Sequence, residues 1–210
     1  AAPNRPQIDE TFTMLPPFFN PGPIGHPHVP LYAAAVNPYM VKMAGELCDG
    51  VRLHPVATFR YAREVLIPAI AEGAARSGRD PSGFDLIGTP FTAFGRTEAE
   101  VAKAVETVRK QIAFYASTRS YHPVLAHHGW EDVGMELHRL SVAGDWAKMA
   151  PLITDEMLDA WVLIGTYDRI ADALRAKANA IFPTVHINFT SEERRDSAML
   201  REVVQRVHAI

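Results

Sequence analysis

Short apolar runs alternate along the chain with segments whose apolar residues recur every three or four positions. Residues 29–36, VPLYAAAV, form an apolar run without clean alternation, the pattern of a strand buried on both faces. Asn37 is a good N-cap and Pro38 suits the first helical position, so a helix should follow with Met40, Met43, Ala44 and Leu47 on one side. Asp49-Gly50 turns the chain into a second strand, VRLHP. Thr58 can cap the next helix, which carries Ala62, Val65, Leu66, Ala69 and Ile70, and Pro68 should kink it or end it early. After the turn cluster SGRDPSG, a third strand lies within FDLIGTPFTAFG. Thr97 and Glu100 make a capping box ahead of a helix with Val101, Val105, Val108, Ile112 and Tyr115 in register. Residues 117–165 break the rhythm and read as an insertion of short helices, rich in His and Trp. TYDRIADALRAKANAI resumes a helix, TVHINFT is the fourth strand, and Ser191 is placed to cap a final helix through Leu200, Val203, Val204 and Val207.

Strands alternating with helices imply parallel βαβ units with right-handed crossovers, hence an α/β fold. Four parallel strands are expected at about residues 30–36, 50–54, 84–93 and 184–189, neighbours in that order. On the fourth, Val185, Ile187 and Phe189 alternate with His186 and Asn188, so the apolar set should face the helices and the polar set the other side. Residues 1–29 are Pro-rich and read as a loop held by packing, because Phe12, Phe18 and Phe19 are too apolar for a free linker.

Composition narrows the function classes. With 210 residues, 48% hydrophobic, the chain can bury a substantial core as one domain. A net charge of -3 from mixed signs gives no field that favours nucleic acid or an anionic membrane. The single Cys48 excludes an internal disulfide framework and fits a reducing compartment. No apolar run is long enough to span a membrane and no signal-peptide pattern is present, so a cytoplasmic location is expected.

Candidate chemistry concentrates at strand ends. In parallel α/β units ligands gather at the carboxyl ends of strands. AAAVNP is such an end: alanines let a ligand approach the backbone, and the N–H groups opening the next helix favour an anion such as phosphate. Small residues there also let a helix pack closely, and both readings stand. The nine histidines show no metal-ligand spacing, and no H-E-x-x-H or C-x-x-C occurs, so no metal is expected. Cys48 reads as a small hydrophobe rather than a nucleophile. Tyr121, His127, His128 and Trp130 make an aromatic, His-rich segment that either covers the strand ends as a substrate lid or pins the insertion to the body. His186 is either a pocket residue or a satisfied core histidine.

The run FTMLPPFFNPGPIGHPHVPLYAAAVNPYMVKMAGELCDGVRLHP, followed by a helix, GRDP and IGTPFTAFG, resembles the luciferase-like monooxygenase superfamily. Within it the likeness is to oxidoreductases that use the deazaflavin coenzyme F420, and YHPVLAHHGWEDVGMELHRLS and LIGTYDRIADALRAK resemble the same subgroup. The resemblance implies a partial (β/α)8 TIM-type barrel: the C-terminal half, from the fifth strand onward, with the first four strands missing. It implies hydride transfer on a small organic substrate with F420, or FMN in the same pocket, as cofactor. Ala34, Ala35, Val36 and Asn37 match the loop after the fifth strand, which contacts the cofactor's phosphate-bearing tail. Many members have Gly-Gly where this chain has Val36-Asn37. Leu53 and His54 match the end of the sixth strand, which faces the same pocket. In the family the first four strands carry much of the ring-facing pocket and most candidate proton donors. No catalytic residue is therefore assigned, and the chain is expected to pair with a missing N-terminal half, to form a homo-oligomer, or to serve as a non-catalytic half-barrel for assembly or binding.

Overall fold

A computed structural model describes residues 29–209. The Pro-rich segment read as a packed loop, with His26 and His28, lies outside the described residues save for its last position. Residues 1–30 and 31–210 separate as two units, and the described helices and strands all belong to the second.

The second unit opens with β1 (Tyr32–Ala35), α1 (Pro38–Leu47) and β2 (Gly50–Leu53). A helical run follows as α2 (Phe59–Tyr61), a π-turn (Ala62–Leu66) and α3 (Ile67–Ser77). Next come β3 (Asp85–Gly88), β4 (Phe91–Gly95), α4 (Glu98–Ala116), α5 (His122–Ala126), α6 (Glu131–Ala143) and α7 (Asp155–Trp161). The chain continues through β5 (Val162–Thr166), α8 (Ile170–Lys177), β6 (Thr184–Val185) and α9 (Ser197–His208). One four-stranded sheet has the order β1-β2-β3-β6, all parallel. These are the four expected strands in the expected order.

The third expected strand is in fact two. Pro90 has no N–H to give a ladder, so pairing with β2 and β6 stops there. The chain stays extended, leaves the first sheet as β4, and pairs in parallel with β5 from Phe91↔Val162 to Gly95↔Thr166. The segment 117–165 is therefore short helices that end in a strand. β5 follows α7 without a loop, Val162 serving as both C-cap and first strand residue, which hides the boundary in the sequence.

Several caps behave as their residue types dictate. Asn37 accepts from Met40 N–H, Thr58 from Tyr61 N–H and Thr97 from Glu100 N–H. The last helix starts later than Ser191 suggests, at an Asp196 cap that accepts from Met199 N–H. Pro68 does not end its helix. The π-turn just before it carries the Ile67 N–H to the Ala62 carbonyl, and the helix continues to Ser77.

Helix α1 buries Val41, Ala44 and Gly45, whereas Leu47 is 65% exposed, so its buried face is rotated from the Met40–Leu47 stripe. Close approach to α3 is the cause. A methyl at Gly45 would lie 2.3 Å from the Ile70 carbonyl oxygen, and one at Gly73 only 1.9 Å from that of Lys42. The two helices cross backbone to backbone, and bulkier side chains have no room there. In an open helix Gly73→Ala would gain about 1 kcal/mol of helix propensity. Here it should instead destabilise by about 1–3 kcal/mol through overpacking. Gly83→Ala, with nothing within 4 Å, should be near neutral. Urea unfolding of the two variants checks the contrast.

Candidate functional site

The pairing register sorts the first sheet into two faces. Ala35, Val51, Leu53 and Leu86 are buried against the helices. Tyr32, Ala34, Arg52, Thr184 and His186 lie on the other face and are exposed, with Asp85 and Ile87 half-buried among them. Val185, Ile187 and Phe189 pack on the core while His186 and Asn188 are exposed, so the expected alternation holds. The open face is not purely apolar. Tyr32 Oη donates to Asp85 (3.1 Å), as does Thr184 Oγ1 (3.1 Å), which ties three strands together near their N-terminal ends. Gly50 makes this possible, because a methyl there would strike the Tyr32 ring at 2.4 Å.

The C-terminal ends of β1 and β2 bring all six strand-end candidates to one edge, with the side chains of Ala35 and Leu53 turned into the core. His54 N–H continues the ladder to the Ala35 carbonyl (3.0 Å). Ala34 presents only a methyl to the open face, whereas Ala35 and Leu53 point into the core. Val36 and Asn37 are half-buried beside them. The opening turn of α1 offers less to an anion than its sequence suggests. Pro38 lacks an N–H and the Met40 N–H is taken by Asn37, which leaves the Tyr39 N–H. The stronger cation here is Arg52, next to Ala34 and Ile87 in register, which pairs with no described carboxylate. Its signal was present in VRLHP: a charged residue between two apolar ones in a strand belongs to the face opposite theirs.

His54 is half-buried between aromatic rings. Tyr121 stacks on it at 5.1 Å and Tyr115 meets it edge-on at 4.9 Å. Burial pulls its pKa below the ordinary value, so the ring is neutral near pH 7. Thus Tyr121 joins the strand-end site. The rest of the His-rich segment goes elsewhere. His128 bonds Thr58 Oγ1 (2.8 Å) and stacks on Trp130 at 4.3 Å, and Trp130 leans on Trp161 at 5.4 Å. His127 bonds Glu64 (2.9 Å) and packs edge-on to Tyr61. His127, His128 and Trp130 therefore fasten the α5–α6 segment onto the helical run after β2. His186 stands on the open face, apart from both groups. Among the described residues no three His, Cys, Asp or Glu side chains gather as a metal site.

A cavity of about 960 Å³ lies beyond the strand ends, between α4, β4 and residues 188–193. Pro55, Pro90, Phe91, Phe94, Phe114 and Tyr115 give it an apolar floor. Its far wall is fixed by Tyr167 donating to Glu193 (2.5 Å) and by an ion pair between Arg96 and Asp196. Burial and the Glu193 carboxylate push the Tyr167 hydroxyl above its usual range, so it stays a donor.

Comparison with known proteins places this arrangement. The model of the luciferase-like monooxygenase family matches residues 9–184. The chain belongs to that family. A Mycobacterium tuberculosis protein of uncharacterised function is 45% identical over 175 residues, which cover 83% of this chain and 52% of that protein. A 5,10-methylenetetrahydromethanopterin reductase of Methanolobus tindarius is 34% identical over 146 residues, covering 67% of this chain and 42% of its own length. The structure of coenzyme F420-dependent tetrahydromethanopterin reductase from Methanopyrus kandleri superimposes with a TM-score of 0.66 at 23% identity, over 86% of this chain and 50% of that one. An F420-dependent secondary alcohol dehydrogenase gives 0.58 at 19% identity, over 97% and 56%. The parallel α/β fold is thus that of luciferase-family structures, and the chain spans about half the length of the curated relatives it matches.

The anchoring contacts predict a pH dependence. Burial first, then the nearby Arg60 guanidinium and His127 ring, hold the His128 pKa at about 4, against 6.5 for a free imidazole. The folded state thus prefers the neutral ring, and this contribution is complete above pH 6.5 and lost as pH falls towards 4. Hydrogen bonds from Arg60 and His127 hold Glu64 at about 2, so its contribution fades only below its ordinary 4.5. The urea midpoint should fall between pH 7 and pH 4.5, and His128→Gln should flatten that slope. An unchanged slope would show that the segment is anchored by other contacts.

Proposed function

We propose that the chain is the cofactor-holding part of an F420-dependent oxidoreductase that moves hydride to or from a small organic substrate. The observation that carries this reading is the strand-end edge of a four-stranded parallel sheet, with a methyl-only position at Ala34 next to Arg52 in register and near Asn37 and His54. Family membership, the sequence likeness to a methylenetetrahydromethanopterin reductase and the likeness in fold to a coenzyme F420-dependent reductase support it.

The residues present suit such a cofactor. A flat deazaflavin ring carrying carbonyl oxygens needs room and donors, and its phosphate-bearing tail needs positive charge. Ala34 leaves the room, and Arg52 supplies charge that is paired with no carboxylate among the described residues. Asn37 keeps its side-chain N–H2 available while its oxygen caps α1. Bound F420 would supply the hydride carrier, and the protein would supply position and electrostatics. The cavity beside Pro55, Pro90 and Tyr115, apolar on its floor and bordered by Arg96, Lys103 and Glu193, would receive the substrate. The exposed sheet face would be covered by further strands, in the same polypeptide or a partner, before turnover. A second reading, a half-barrel that binds or assembles without catalysis, draws on that same open face.

Titration of the purified chain with F420 and with FMN, followed by cofactor fluorescence, tests the reading. Saturable binding with preference for F420 is expected. Preference for FMN would replace the cofactor, and binding of neither would favour the non-catalytic reading. Ala34→Leu should weaken F420 at least tenfold, about 1.4 kcal/mol, with little change in melting temperature. Ala35→Leu, which enlarges a core position, should instead cost about 1–3 kcal/mol of stability.

A further inference from the structure

His54 occupies a position whose hydrogen bonding fixes which ring nitrogen carries the proton. Its Nδ1 lies 3.2 Å from the Val56 N–H. A backbone N–H can only donate, so Nδ1 must hold a lone pair, and in a neutral imidazole the proton then sits on Nε2. The Val56 peptide is itself held in place. Its carbonyl accepts from Trp161 Nε1 at 2.6 Å, and the Trp161 side chain is fully buried. The Ala57 N–H closes the turn onto the His54 carbonyl at 3.0 Å. Tyr121 and Tyr115 fix the ring plane.

The Nε2 side is different. It bonds to no described residue, and the buried side-chain atom left without a partner among the described residues is Nε2 of His122, not of His54. His54 Nε2 therefore reaches solvent. Its residue follows Arg52 by two along the strand, and its N–H still pairs with Ala35, so it belongs with the open face at the carboxyl end of the sheet.

We infer that His54 is a fixed hydrogen-bond donor, an Nε2–H aimed at an acceptor oxygen bound above Ala34 and the ends of β1 and β2. The inference rests on the cofactor-site reading and adds a role within it. The oxygen belongs either to a ring carbonyl or to the tail phosphate, which share this chemistry. His54 is by the same geometry not a general base, since its one lone pair is spent on Val56. Burial, which keeps the ring uncharged, is consistent with that role.

Long-range 1H–15N correlation on the histidine-labelled 210-residue chain tests this, with His54→Gln used to assign the signals. At about pH 7.5 His54 should show the Nε2–H tautomer. An Nδ1–H tautomer or a charged ring would overturn the inference. F420, its ring fragment without the phosphate, and inorganic phosphate are then added separately. The Nε2 resonance should shift saturably with F420 and with one fragment, the ring fragment marking a carbonyl partner and phosphate marking the tail. His54→Phe, which keeps the stacking and loses the donor, should weaken the responsible ligand at least tenfold, and His54→Gln should restore part of the loss. No shift with any of the three, or equal binding by wild type and His54→Phe, overturns the donor role. F420 binding that ignores His54 would leave the cofactor reading intact. A His54 response to phosphate without F420 binding would do the reverse.

Discussion

The parallel ladder β1-β2-β3-β6 is the constraint on which the rest depends. Because every strand runs the same way, every carboxyl end lies on one edge, and the chain leaving each strand turns at that edge. Helices cover one side of the sheet, so period-2 alternation decides which residues are core and which remain available. Ala35, Val51 and Leu53 are spent on packing. Ala34, Arg52 and His54, one position out of phase, are not. The close crossing of α1 and α3 through Gly45 and Gly73 fixes one flank of that edge, since Asn37 and the start of α1 move with it.

A second constraint acts through the loop after β2. Trp161 binds the Val56 carbonyl, Thr58 caps its helix while bonding His128, and Thr89 Oγ1 bonds the Leu53 carbonyl. Three separate parts of the chain thus hold residues 53–58 from different directions. Arg109, bonded to the Ile153 carbonyl and to Asp155 (2.8 Å), ties α4 to the start of α7 and so keeps Trp161 in reach. Buried polar groups with all partners present are rigid, because losing one partner leaves the other unsatisfied at a cost of about 1–3 kcal/mol. The rigidity places the His54 ring at the edge of the sheet.

Much of this was legible in the sequence where local chemistry and tertiary structure agree. The apolar runs at Tyr32, Gly50, Asp85 and Thr184 became the four neighbouring strands, and Asn37, Thr58 and Thr97 cap the helices that their side chains favour. The misses share a physical origin. β5 starts inside a helix cap, with no turn residue to announce it. The rotation of α1 is set by two glycines whose purpose is visible only once a second helix lies on them. At the site, Ala34 and Ala35 are the same residue type side by side, and only pairing separates the exposed one from the core one. Likewise His54 and His128 are both histidines in aromatic surroundings, yet one has an accessible nitrogen at a strand end and the other is committed to Thr58.

The central claim is that the ligand site is the carboxyl edge of β1 and β2. Hydrogen–deuterium exchange followed by mass spectrometry, with and without saturating F420, locates it without reference to turnover. Slowed exchange is expected in peptides covering residues 34–41 and 53–57, with the α6 surface unchanged. Protection confined to α6 or α9, or no protection anywhere, would contradict it.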